Sequence, residues 1–272
     1  KEMKTKEKIP ASVNVLGLST VHMKGREDAE EIRRLLSLCG IRVISMPGGG
    51  SNWDDIMAAP SASLNIVVRD ELGLSLAKQM ERDFGTPYMS SGLPYGTDGT
   101  MAWLSEIIEK LGAGELIRAS HEAAKLKEFL LRKGNNLESL WGPLWFDAVL
   151  ISAPPSEALG IAEAIRSEWI DTAHLCIHAQ CETEKSTPAA DAIRVVMKNE
   201  KEIAKDYEDW QGGLVLSSSH ETHLLRRMGR SFTGFHIALP SHDEVHFSDL
   251  PQCGLRGAGY LYEQLWNAKL RK

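Results

Sequence analysis

Short apolar runs alternate along this chain with longer segments whose apolar positions recur every three or four residues. Val13–Gly17 reads as a strand. Glu27–Cys39 reads as a helix, with Ile32, Leu35, Leu36 and Cys39 at helical spacing and Gly40 suited to the residue after its end. Ile41–Met46 predicts a strand, Ser51–Ala59 a short helix stopped by Pro60, and Leu64–Val68 a strand buried on both faces. Leu74–Phe84 predicts a helix ended by Gly85, Thr86–Met89 a strand, and Thr97–Leu111 a helix.

The second half repeats the alternation. Phe146–Ser152, Thr172–His178, Gly213–Ser217 and Phe232–Ala238 read as strands. Glu157–Trp169, Thr187–Asp206, His220–Met228 and Gly257–Leu270 read as helices. Strands separated by helical patterns of about 10–15 residues imply βαβ units and a parallel sheet. The expected fold class is α/β, with two Rossmann-like, doubly wound domains. Residues 1–112 make the first, 113–144 a helical linker and 145–253 the second; 254–272 is a terminal helix expected to pack back across both.

Composition narrows the function. At 272 residues, 43% hydrophobic and 25% charged, the chain is globular and can bury a substantial core. A net charge of -6 argues against nucleic acid, whose phosphates call for clustered Lys and Arg. No apolar run approaches the roughly 20 residues that span a bilayer, so no membrane partner is expected. Cys39, Cys176, Cys181 and Cys253 do not form a disulfide framework, which suits a reduced, cytoplasmic chain. The chain begins with Lys and enters a strand within about a dozen residues, as expected of a piece of a longer protein or a form without an N-terminal domain.

Several clusters carry candidate chemistry. Gly48, Gly49, Gly50 and Ser51 lie between a strand and a helix. Glycine admits close backbone approach, and a helix start favours an anion. Ser51 and Asp54 fit a capping pattern. The spacing matches neither nucleotide fingerprint, so a tight structural turn stands beside a cofactor edge. His174, Cys176 and His178 alternate along one strand, with Cys181 beyond. Imidazole and thiolate are metal ligands, yet a flat strand does not close a site alone. A buried thiol with hydrogen-bonded histidines is the expectation, and no metal ligand is assigned. His220-Glu221-Thr222-His223 lacks the i, i+4 pair of a zinc helix and reads as a capped helix start. Ser152 and Ser217–Ser219 follow strands at carboxyl ends, where open sheets place ligands, but neither has a nucleophile elbow. The charges of Glu200–Asp209 read as a solvated face.

The wording from Val13 to Leu104, with VNVLGLS, the GGGS loop and SLNIVVRDELG, resembles the central domain of nitrogenase component 1 type oxidoreductases. The resemblance implies two domains facing each other across a cleft. It further implies an iron–sulfur cluster, metallocofactor or tetrapyrrole, electrons from an ATP-dependent iron–sulfur reductase, a paralogous subunit and a homo- or hetero-oligomer. Arg69 stands where the catalytic nitrogenase subunit has its cofactor-binding cysteine. A guanidinium cannot ligate a metal and suits an anion instead. Leu239-Pro240-Ser241-His242-Asp243 and Cys253-Gly254-Leu255-Arg256-Gly257 resemble the ending of non-catalytic and scaffold subunits, with Glu244 in place of an arginine. A different alignment sets His236 near the cofactor histidine of nitrogenase.

The expected function is therefore a nitrogenase component 1-like oxidoreductase subunit or fragment. It binds an anionic cofactor, tetrapyrrole or cluster precursor through Gly48, Gly49, Gly50, Ser51, Arg69 and His236; its catalytic residues and the identity of the cofactor are left open. The alternative is a binding or scaffold protein that has lost cluster ligation. A nucleotide-dependent sugar or phosphate enzyme is a third reading, weakened by the missing fingerprint.

Overall fold

Ile9–Leu16 forms β1, buried from Ser12 onward, because the β-branched Val13 and Val15 fit a strand covered on both faces. The structure is a computed structural model and describes residues 3–4, 6–179, 193–197 and 200–271, with backbone alone at 193–197 and 200–202. α1 (Gly25–Leu38), β2 (Arg42–Ser45), α2 (Trp53–Ala58), β3 (Ala62–Val67), α3 (Asp70–Phe84), β4 (Tyr88–Ser90) and α4 (Thr97–Leu111) follow. β1 to β4 form one sheet in the order β2-β1-β3-β4, and every pairing is parallel. α3 covers one side of it, burying Ala77 and Met80 with Leu16 and Val67. Fully burying a side chain the size of Leu16 or Val67 contributes about 1.5–3 kcal/mol.

α5 (Ile117–Trp141) is a single helix of 25 residues. β5 (Trp145–Ala153), α6 (Pro155–Ala164), a π-helical turn at Ile165–Trp169 and β6 (Asp171–Ala179) come next. β7 (Ile193–Met197), α7 (Glu200–Asp209), β8 (Leu214–Ser217), α8 (Ser219–Arg227), β9 (Thr233–His236) and α9 (Gly254–Leu270) complete the chain. The second sheet is also parallel, in the order β7-β6-β5-β8-β9. Tyr207 and Trp210 pack with Leu150, Val215 and Leu225 on one of its faces. The chain divides into two compact units, Lys1–Phe129 with Leu250–Ala258 and Leu130–Asp249 with Gly259–Lys272.

Two elements differ from the sequence reading. The helix expected over Thr187–Asp206 is replaced in part by β7, which pairs from Ile193↔Leu175 to Met197↔Ala179. Ile193, Val195 and Val196 favour the sheet, and the helix begins only at Glu200; residues 187–192 lie outside the described ones. The second difference is at α2, which is capped by Asn52 and Asp55 rather than by Ser51 and Asp54. Asp55 N donates to Asn52 Oδ1 at 3.0 Å and Asn52 N to Asp55 Oδ2 at 3.1 Å. Ser51 Oγ instead accepts from Met46 N at 2.7 Å.

Two buried carboxylates on α1 hold the start of α9. Asp28 Oδ1 accepts from Gln252 N at 2.7 Å and from Cys253 N at 3.0 Å. Glu31 Oε1 accepts from Arg256 N at 3.2 Å, and Arg34 binds Glu31 through Nε and Nη2 at 2.7 and 2.8 Å. These side chains satisfy donors that a helix start leaves open.

Candidate functional site

In each sheet the winding reverses once, between β1 and β3 in the first unit and between β5 and β8 in the second. Open α/β sheets place ligands outside the carboxyl ends of the strands at such a point. Gly17 and Arg69 follow β1 and β3, while Ser152 and Ser217 stand at or near the ends of β5 and β8.

In the first unit, Arg69 is fully buried, and its Nη1 donates to Gly17 O at 3.3 Å. Gly17 takes φ +92°, and a Cβ there would lie 2.6 Å from Arg69 O, so only glycine admits this approach. Arg69 O also accepts from Leu72 and Gly73 at the start of α3. The guanidinium thus ties two strand ends together from inside. Burial pushes the Cys253 thiol well up, and the Asp28 and Glu31 carboxylates push the same way; the Arg69 charge opposes them.

The glycine loop closes on the backbone after β1. Thr20 N donates to Gly48 O at 2.9 Å and Gly49 N to Met46 O at 2.8 Å. Gly48 has φ +76°, and a Cβ on it would meet Leu18 O at 2.3 Å. Gly48 and Gly50 are exposed, and α2 behind them has six residues. At the other edge of the sheet, after β4, Ser90 Oγ donates to Asp70 Oδ1, and Trp103 Nε1 to Ser91 Oγ at 2.9 Å.

The second unit carries a row of buried polar side chains across four strands. Ser152 pairs with His178 and Ser217 with His236, while Ile151 pairs with Leu216 one position earlier. Period-2 geometry therefore points all four side chains to one face at one level. None is more than 2% exposed. Ser152 Oγ donates to Glu221 Oε1 at 3.3 Å and hydrogen-bonds Tyr207. Tyr207 OH lies 3.4 Å from His178 Nδ1. Glu221 completes the capping box of α8, accepting from Ser218 N at 3.1 Å and Ser218 Oγ at 2.6 Å. Burial, and after it the Glu221 carboxylate, pushes the Tyr207 phenol up, so Tyr207 stays protonated.

His236 sits at the other end of the row. Its Nδ1 lies 2.8 Å from Ser241 Oγ, and its Nε2 lies 3.4 Å from both Thr222 Oγ1 and Asp243 Oδ1. His236 N donates to Glu244 Oε2 at 2.9 Å. Ser241 Oγ also lies 3.2 Å from His246 Nε2. Burial raises the Asp243 carboxyl, but the Arg226 hydrogen bond and the His236 and Arg226 charges outweigh it and hold the group below the ordinary carboxylate value. His220 and His223 are exposed on α8.

The structure places the six candidate residues in both units: Gly48, Gly49, Gly50, Ser51 and Arg69 in the first, His236 in the second. Sequence reasoning missed Asp206, Tyr207 and the bond from Glu221 to Ser152. Asp206 Oδ2 lies 3.1 Å from His178 Nε2, although its neighbours in sequence read as a charged surface. Its signal was indirect: Ile203 and Tyr207 mark the inward face of α7 and set Asp206 beside them.

A cluster held by several thiolates does not fit the described residues. Among them, two groups of three metal donors occur, Cys176 with His178 and Asp206, and His236 with Glu244 and His246. Neither contains two cysteines, and Cys39 and Cys253 are buried in the other unit. Arg69 supplies no lone pair. Among the described residues, no helix is long and apolar enough to cross a membrane.

Comparison with known proteins agrees with this architecture. The B-type polypeptide of light-independent protochlorophyllide reductase from Prosthecochloris aestuarii is 25% identical over 276 residues, covering 94% of this chain and 51% of the relative. Its counterpart from Chlorobium phaeobacteroides is 25% identical over 291 residues, covering 98% of this chain and 52% of the relative. The chain thus spans about half the length of these curated relatives. The solved structure of nitrogenase Cp1 at pH 6.5 superposes with a TM-score of 0.70 at 17% identity, over 98% of this chain and 62% of that one. That likeness shows the fold, with two parallel sheets flanked by helices. The family model described as nitrogenase component 1 type oxidoreductase matches residues 1–270, and the chain belongs to that family.

Proposed function

We propose that this chain is the ligand-binding part of a nitrogenase component 1-like oxidoreductase, taking an anionic cofactor or a tetrapyrrole at the carboxyl ends of its parallel strands. The family match over residues 1–270 carries this reading. In the first unit the Gly48–Ser51 loop, exposed at Gly48 and Gly50, offers its backbone to the ligand; His236 is buried at the strand ends of the second unit. Arg69, wholly buried, acts as a positioning residue that fixes Gly17. Electrons come from an ATP-dependent iron–sulfur reductase, and a paralogous subunit completes the enzyme. The relatives are reductases of protochlorophyllide, which makes that pigment the first ligand to try.

A second reading is favoured by a specific observation. By the resemblance, Arg69 stands where the catalytic subunit has its cysteine and supplies no lone pair, and no group of donors among the described residues contains two cysteines. The chain then serves as a binding or scaffold protein without cluster chemistry of its own.

Anaerobic titration of the purified chain with protochlorophyllide, followed by absorption and fluorescence, tests both. Saturable binding that is weakened by Gly49→Ala supports a ligand site. Turnover on adding the reductase, a paralogous subunit and ATP supports the oxidoreductase; binding without turnover supports the scaffold. Absence of saturable binding sinks the tetrapyrrole reading.

A further inference from the structure

We propose that Cys176, His178 and Asp206 form a mononuclear zinc-type site with one coordination position open to a cavity. The inference is independent of the ligand reading above. The three donor atoms make a triangle: Cys176 Sγ to His178 Nε2 is 3.4 Å, Cys176 Sγ to Asp206 Oδ2 is 3.5 Å, and His178 Nε2 to Asp206 Oδ2 is 3.1 Å. Zinc bonds of about 2.0–2.3 Å at the tetrahedral angle separate neighbouring donors by roughly 3.3–3.6 Å. The triangle therefore needs adjustments of a few tenths of an ångström to become one face of a zinc tetrahedron. Thiolate, imidazole and carboxylate together suit zinc or cobalt rather than calcium or magnesium.

The surroundings supply what a ligating histidine needs. Nδ1 of His178 faces the Tyr207 hydroxyl at 3.4 Å, and Tyr207 is tied in turn to Ser152 and Glu221. An outer partner of this kind fixes the ring and leaves Nε2 for the metal. The ring of Tyr207 meets that of His178 edge-on, with centroids 5.2 Å apart. Cys176 and Asp206 line a cavity of about 660 Å³, whose wall also includes His174 and Trp210. His178 stands behind them, 0% exposed. A metal held on this triangle would take a fourth ligand, water or a small oxygen or nitrogen donor, from the cavity side. Three protein ligands with an open fourth position is the arrangement of catalytic rather than structural zinc. Two ligands come from one flat strand, and α7 supplies the third that the strand alone lacks.

The test uses the full chain, stripped with a chelator and titrated anaerobically with Co²⁺. Binding of one equivalent with a thiolate-to-cobalt band in the near ultraviolet, displaced by Zn²⁺, is expected. Cys176→Ser should abolish the band, and Asp206→Asn should weaken binding by about tenfold or more. Both variants leave the buried imidazole in place, and far-ultraviolet circular dichroism checks their folding. In the unaltered chain, Zn²⁺ should slow alkylation of Cys176, read by peptide mass spectrometry, and chelator should restore it. Cobalt that binds without a near-ultraviolet band, a band unchanged in folded Cys176→Ser, or alkylation of Cys176 unaffected by Zn²⁺ would overturn the proposal.

Discussion

Arg69 Nη1 lies 3.3 Å from Gly17 O, so a wholly buried guanidinium joins the carboxyl ends of β1 and β3. Arg69→Met keeps the length of the side chain but removes the charge and its donors. The surrounding acceptors then lose a partner in the interior. Urea unfolding should show a loss of about 2–4 kcal/mol; a change below about 0.5 kcal/mol, the usual scale of a surface substitution, would contradict the positioning role.

The framework was legible because its signals are local. Helical spacing of Ile32, Leu35 and Leu36 with glycine at position 40 marked α1, and all three apolar side chains are buried. The site was less legible because its contacts join distant residues. Nothing near Ser152 says that Glu221 will bind it, or that Asp206 on a charged helix will turn to His178. β7 was hidden by the opposite effect: its pairing with β6 overrides the helix-forming residues that flank it.

Asp28 should matter more than an ordinary helix aspartate. Its Oδ1 accepts two backbone N–H groups at the start of α9, both buried. Asp28→Ala should therefore lower stability by about 1–3 kcal/mol, and hydrogen exchange should quicken at Gln252 and Cys253. Unchanged protection at those two amides would count against the assignment.

Glu221 and Ser218 form a reciprocal cap on α8. Ser218→Ala should cost about 1 kcal/mol. Glu221→Ala should cost more, because it also leaves Ser152 Oγ without its carboxylate acceptor. A double-mutant cycle between Ser152 and Glu221 should give a coupling of about 0.5 kcal/mol or more; additivity within error would show that the 3.3 Å contact carries no energy.

Arg226 and His236 hold the Asp243 carboxyl below its ordinary value, against the effect of burial. A depressed folded-state pKa means that the linked stability is present above the unfolded carboxylate value and is lost as pH falls through the lower folded value. The group is 37% exposed in its side chain, so the effect is small and screened by salt. Arg226→Met should move the Asp243 titration upward in carbon-13 spectra. A titration that stays in place would remove Arg226 as the cause.

Burial raises the thiols of Cys39 and Cys253, with Cys253 wholly enclosed. Little thiolate is then available at neutral pH. Iodoacetamide should label both far more slowly in the native chain than after denaturation, as peptide mass spectrometry would report. Fast native labelling of Cys253 would mean that the start of α9 opens readily.

The level at which Ser152, His178, Ser217 and His236 meet also makes this chain intolerant of one kind of genetic change. Deleting a single residue inside β8 would draw Ser217 off the ledge and turn its hydroxyl to the opposite side of the sheet. Lineages that lengthen or shorten this half of the molecule are therefore expected to do so in the connections, leaving the spacing within each strand untouched.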